Sequence, residues 1–130
     1  MLKFKKFISE SIQHKFIVDP GFDNENASLH NFNVGRVEKS FSKDKDKYVS
    51  KGGGGAAIKG RYPRVQDYLK HNKVIHSSSV DIDNEGKIHF NNGRHRYAAL
   101  RDSGQKQIPM SLHSDEAREN AKKFGYIDWL

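Results

Sequence analysis

The chain has 130 residues, 35% hydrophobic and 30% charged, which leaves room for one modest core. Its 23 lysines and arginines against 16 aspartates and glutamates give a formal charge of +7, which suits an acidic partner such as nucleic acid or a nucleotide without specifying a fold. The absence of cysteine excludes a disulfide scaffold and a cysteine-based zinc site, and no apolar run approaches the ~20 residues of a transmembrane segment.

Residues 1–12 form an amphipathic leader, with Phe4, Phe7, Ile8 and Ser11 on one helical face and lysines on another. Three lysines interrupt its apolar positions, so it is not a secretory signal; a helix packed on the domain is expected over a membrane-surface helix. Residues 13–130 read as one domain. Lys15-Phe16-Ile17-Val18 is a candidate strand stopped by Asp19-Pro20-Gly21, and residues 23–28 are polar and turn-like. Ser42 to Lys47 alternates charge without an apolar face, and Gly52-Gly53-Gly54-Gly55 offers no side chain to pack, so a flexible loop is expected near 42–57. The glycine run lacks the spacing and the Gly-Lys-Ser/Thr ending of a P-loop. Lys59, Gly60 and Arg61 beside it are a candidate lid over a bound phosphate, with a plain linker as the alternative. Pro63 can open a helix over residues 64–70, where Val65, Tyr68 and Leu69 make an apolar stripe.

Val80-Asp81-Ile82-Asp83 and Lys87-Ile88-His89-Phe90 alternate apolar and polar residues around an Asn84-Glu85-Gly86 turn, the pattern of a hairpin. A helix then begins near Gly93, because Gly93, Tyr97, Leu100 and Gly104 fall on one face; Asn91 or Asn92 can cap it and Gly104 can stop it. The amides of its first turn lack internal partners and sit at the positive end of the helix dipole. Asn92, Gly93, Arg94, His95 and Arg96 therefore form a candidate phosphate site, in which the glycine admits the ligand to the main chain and the arginines supply paired donors. Successive helical residues diverge by about 100 degrees, so one or two of the three side chains reach the anion, Arg96 and His95 first. The alternative is an ordinary surface turn leading into an exposed basic helix.

Asp81, Asp83, Glu85 and Gly86 match the opening of a calcium loop, but Asn92 stands where its bidentate glutamate belongs. Asp81 and Asp83 share one side of a strand and could hold a magnesium ion accompanying a nucleotide; no metal site is assigned beyond that. No Ser-His-Asp arrangement is assignable. Ser114 to Lys123 has a capping serine, acids in its first turn and lysines at its end, the polarity of a helix, and Tyr126, Ile127, Trp129 and Leu130 form an apolar tail expected to seal the core.

The run from Val80 to Leu112, with the Phe90-Asn91-Asn92-Gly93-Arg94-His95-Arg96 box, Ala98-Ala99-Leu100, Gly104 and Ile108-Pro109-Met110, resembles the core of the ParB/sulfiredoxin-like superfamily. The resemblance implies an α/β (α+β) domain, a small mixed sheet with helices, and a Gly-x-His-Arg phosphate grip at Gly93, His95 and Arg96. Arg94 stands where sulfiredoxins carry their reactive cysteine, so thiol chemistry is excluded. The residues after the box are too few for the DNA-reading helical domain of chromosome-partitioning ParB proteins, and a minimal relative is expected.

Phe7-Ile8-Ser9-Glu10 resembles the end of the leader on internal head proteins of contractile-tailed bacteriophages, which a maturation protease cuts after the glutamate. Leu2 departs from that pattern, where lysine is usual. Cleavage after Glu10 removes three lysines and one glutamate, leaving 20 basic and 15 acidic residues and a charge of +5. The resemblances together imply a bacteriophage internal virion protein, found in the virion interior and then the host cytoplasm, that binds phosphate groups of a nucleotide or nucleic acid and meets a host protein target. One alternative is a ParB-like metal-dependent nuclease or nucleotide hydrolase with candidate catalytic residues Asp81, Asp83 and His95; its cofactor would be a nucleotide with magnesium. The other is a basic protein that condenses DNA without a specific pocket.

Overall fold

The sequence pattern around the box translates directly into local structure in the computed structural model, which describes residues 14–128. The leader, with Glu10, and the tail residues Trp129 and Leu130 lie outside the described residues. Strand β1 (Lys15–Ile17) is followed by a 3-10 turn (Pro20–Phe22), β2 (Ser28–Asn33), α1 (Val34–Phe41) and the short strands β3 (Val49–Ser50) and β4 (Gly54–Gly55). Helix α2 (Arg61–His71), β5 (Val74–His76), β6 (Ser78–Ile82), β7 (Ile88–Asn92), α3 (Arg94–Asp102), β8 (Gln107–Leu112) and α4 (Asp115–Lys123) complete the order.

The central sheet has the order β2-β8-β6-β7. β2 runs antiparallel to β8, β8 parallel to β6, and β6 antiparallel to β7, so the sheet is mixed and the fold is α+β as expected. β1 and β5 form a separate parallel pair, and β3 and β4 an antiparallel ribbon. Parallel neighbours require a crossover, and α3 supplies it between β7 and β8 on the way back to the β6 edge. The expected 42–57 loop thus contains an ordered ribbon, whose Val49 is fully buried.

Helix α2 begins at Arg61, earlier than the expected 64, with Pro63 tolerated in its first turn. Helix α3 is capped by Gly93 and not by Asn91 or Asn92, because both asparagines belong to β7. Gly104, at φ 97°, follows the helix end and donates its amide to the Arg101 carbonyl, as a stop signal should. Helix α4 starts on Ser114, whose hydroxyl accepts from the Ala117 amide. Behind it Tyr126 is fully buried and donates its hydroxyl to the Gly86 carbonyl at 2.5 Å, so the described part of the tail, Tyr126 and Ile127, packs into the core beside the β6–β7 hairpin.

Phe41 is the hinge of the aromatic part of that core. Its ring lies 5.0 Å from Tyr48, 4.6 Å from Phe90 and 5.9 Å from Tyr97, tying α1, β7 and α3 together. Phe41→Ala removes a side chain that is 1% exposed and leaves a cavity among three rings. The expected loss is about 3–5 kcal/mol, read as a lowered midpoint in urea denaturation with an unchanged slope.

Candidate functional site

The site is built at the junction where β7 becomes α3. Gly93 adopts φ 82°, and a Cβ there would lie 2.7 Å from Ser78 Oγ and 2.9 Å from Ser78 Cα, so only glycine lets the chain turn this closely against β6. Ser78 Oγ donates to the Gly93 carbonyl at 2.7 Å and holds the junction down. No side chain makes a cap hydrogen bond to the amides of the first turn of α3, which sit at the positive end of its dipole.

An anionic group already lies beside that end: the carboxylate of Asp19, just before the 3-10 turn. Asp19 Oδ2 accepts from Asn92 Nδ2 at 3.0 Å and from Arg96 Nη2 at 3.2 Å, while its Oδ1 accepts from the Gly21 amide at 2.9 Å. Arg96 also donates to Asn92 Oδ1, one turn back, and to the Ser77 carbonyl at 3.5 Å. Burial opposes ionisation of Asp19, but the bonds from Asn92 and Gly21 and the charge of Arg96 outweigh it and hold its pKa below the ordinary carboxylate value. Arg96 Nε and the Ser77 hydroxyl oxygen are buried without a hydrogen-bond partner, so this cluster has donor capacity that the carboxylate does not use. Asn92, Gly93 and Arg96 are thus brought together as the sequence suggests. Asp19 is not foreseen, since Asp-Pro-Gly reads only as a strand stop.

His95 and Arg94 point elsewhere. His95 is 4% exposed and its Nε2 accepts the Ile58 amide at 3.0 Å. Burial first, then the charges of Arg94 and Arg61, push its pKa down to about 4, so it is a neutral acceptor at pH 7. His95 is therefore not the cationic phosphate ligand expected beside Arg96: its Nε2 is committed to the Ile58 amide and burial suppresses its charge. Arg94 Nη2 donates to the Ala56 carbonyl at 3.1 Å and so also serves the segment after the glycine ribbon. The lid residues lie beside this strap. Gly60, at φ 80°, caps α2, and Lys59 and Arg61 are exposed; the contacts to α3 are made by Ala56 and Ile58.

The other end of α3 holds the ribbon through a partly buried ionic network. Glu38 accepts from Tyr48 at 2.6 Å, Tyr97 at 2.8 Å and Arg101 Nη1 at 3.2 Å. Arg101 also donates to the Val49 carbonyl at 2.7 Å and from Nε to Asp102 Oδ1 at 2.9 Å. Asp102 Oδ2 in turn accepts from the Gly52 amide at 2.9 Å and the Tyr62 hydroxyl at 2.6 Å. Burial and then the Asp102 carboxylate push the Tyr62 hydroxyl up to about 12, so it remains a donor. Sequence reading misses this network because its members lie far apart in the chain.

The acidic candidates are not brought to the box. Asn92 pairs with Ser79 at one end of the β6–β7 hairpin, whereas Asp83 sits in the turn at the other, about 13 Å away for four residues of strand. Asp83 accepts from the Glu85 and Lys87 amides, both at 2.9 Å, and from His89 Nε2 at 2.8 Å, so it organises the turn. Asp81 is exposed on β6. Among the described residues no group of three or more His, Cys, Asp or Glu side chains could hold a metal ion, and Asp81 and Asp83 do not fit a magnesium held against a phosphate at Arg96. His113 Nε2 lies 2.6 Å from Ser79 Oγ and 3.1 Å from Ser111 Oγ, but both serines are fully buried.

The buried neutral state of His95 has a pH signature. An unfolded histidine takes up its proton near pH 6.5, the folded one only near 4. Stability from this group is therefore complete above pH 6.5 and is lost as pH falls toward 4, at about 1.4 kcal/mol per pH unit. Urea titrations of wild type and His95→Gln should differ in slope over that window, the variant being the flatter. Comparison of the chain with protein-family models, with curated proteins and with solved structures yields no match, so a functional assignment rests on the geometry of the site itself.

Proposed function

We propose that this chain is a phosphate-binding domain of ParB/sulfiredoxin-like type, which takes a phosphate of a nucleotide or nucleic acid at the mouth of α3. The observation that carries the reading is the grip of Asn92 and Arg96 on a carboxylate oxygen at an uncapped helix end. A phosphate oxygen can accept the same two donors, and Gly93, packed against Ser78, fixes the junction from which both project. The succession β6, β7, α3, β8 supports the superfamily resemblance. A binding role is favoured over hydrolysis, because His95 is neutral and turned to Ile58, while Asp83 is engaged in the far turn. The leader supports a bacteriophage setting, an internal virion protein cut after Glu10 and acting on host machinery; a mature protein from particles beginning at Ser11 is the expected result, and an intact Met1 contradicts it.

A second feature favours nucleic acid over a free nucleotide. A cavity of about 610 Å³ lies between α1 and the β6–β7 turn, lined by Arg36, Lys39, Lys43 and Lys87 against Asp44 and Glu85. It adjoins the start of β7, and the box the end of the same strand, so one flexible polyanion could touch both.

Titration with a nucleoside triphosphate and with a short single-stranded DNA separates these readings. Arg96→Ala is expected to abolish triphosphate binding that survives moderate salt, in a protein whose circular dichroism is unchanged. Unchanged affinity in the variant contradicts the site. Reversal of Lys39, Lys43 and Lys87 to glutamate is expected to weaken DNA binding and flatten its salt dependence while leaving the triphosphate unaffected.

A further inference from the structure

We propose that Asp19 is a built-in occupant of the phosphate grip, and that a polyphosphate ligand binds by displacing the short strap of residues 19–22. The inference rests on the phosphate reading above and adds a mechanism of regulation to it.

Asp19 and an incoming phosphate compete for the same donors, Asn92 Nδ2 and Arg96 Nη2. They cannot share them at low energy. Two anions within about 4 Å of each other in a partly buried site repel strongly, and Arg96 has one charge to offer both. One of them must leave.

The strap is the part built to move. The 3-10 turn is three residues long and buries none of them. Its internal bonds run from Phe22 to the Asp19 carbonyl at 2.8 Å and from Gly21 to Asp19 Oδ1, so it can lift as a unit with its own turn intact. The strand before it remains anchored, since the Ile17 carbonyl accepts the Ser77 amide at 2.8 Å. The grip, by contrast, is set in the β7–α3 junction under a glycine that tolerates no Cβ.

The tenant also fills the site incompletely. Asp19 gives the grip only Oδ2, because Oδ1 caps its own turn. Arg96 Nε and Ser77 Oγ stay buried and unpartnered beside it. A phosphate has oxygens to spare for such donors, and a dianion or polyanion gains more from Arg96 than one carboxylate does. A monoanionic carboxylate offers nothing that Asp19 does not already supply. The strap therefore sets a threshold that selects multiply charged phosphates, and the affinity measured for them is reduced by the fraction of molecules with Asp19 in place.

The experiment is calorimetric titration of the full chain with inorganic pyrophosphate at fixed salt, for wild type, Asp19→Asn, Arg96→Ala and the double variant. Asp19→Asn is expected to bind about tenfold more tightly than wild type, the effect of removing an occupant present about nine-tenths of the time. Arg96→Ala should lose binding in either background. The Gly21 and Phe22 amide resonances of wild type should shift at saturation as the strap leaves the grip with its internal bonds kept. Asp19→Ser, which keeps a cap for Gly21, serves if the asparagine variant does not fold. Pyrophosphate binding that needs Arg96 but is equal or weaker in the Asp19 variants overturns the displacement and leaves the phosphate site standing. No pyrophosphate binding by any of the folded proteins overturns both.

Discussion

Gly93 brings the end of β7 so close to β6 that Ser78 Oγ reaches its carbonyl at 2.7 Å, and a single methyl group there would strike the Ser78 backbone. That approach decides where α3 starts. It also decides that Asn92, the last residue of the strand, and Arg96, in the first turn of the helix, stand one above the other with the uncapped amides beside them. The site is a consequence of the junction. Asn92 orients the guanidinium through its side-chain carbonyl oxygen and offers its own amide to the same Asp19 oxygen, so the two residues act as one grip.

Helix α3 carries a second duty, which explains why so many of its polar residues face inward. At its amino end Arg94 and His95 hold Ala56 and Ile58; at its carboxyl end Arg101 and Asp102 hold Val49, Gly52 and Tyr62. The glycine ribbon is thereby strapped along the helix from both ends. Packing adds to the polar contacts, since a Cβ on Gly53 would lie 2.6 Å from the Tyr62 ring. The network around Glu38 and Arg101 is nearly complete, and its removal in part would leave a half-buried charge without its partner. Such a network specifies the position of the ribbon more than it adds stability. His95 belongs to this framework, and its suppressed charge is the condition for accepting the Ile58 amide.

The parts of the fold that could be read from the chain are those where local pattern and tertiary packing agree. The alternation of Val80 to Phe90, the Gly93–Gly104 seam and the polarity of residues 114–123 gave the hairpin, α3 and α4 with boundaries shifted by a residue or two. β2 and α1 were not legible, because Asn31, Asn33 and Gly35 are poor formers of strand and helix; six residues of pairing with β8 and the burial of Val37 and Phe41 override them. Within the site, Asn92, Gly93 and Arg96 follow from their spacing. Asp19 does not, since its partners lie 73 and 77 residues away, and nothing in Gly-Arg-His-Arg reveals that the histidine alone turns into the core. The charge alternation of 42–47 similarly hides the one buried anchor that follows it, Val49.

The central claim is that the mouth of α3 is where phosphate binds, and amide chemical shifts locate a ligand without any substitution. In a ¹⁵N-labelled chain titrated with pyrophosphate, the largest saturable shifts are expected at the amides of Arg94, His95 and Arg96 and at the side-chain amide of Asn92. Shifts confined to Lys39, Lys43 and Lys87, with those first-turn amides unmoved, would contradict the account.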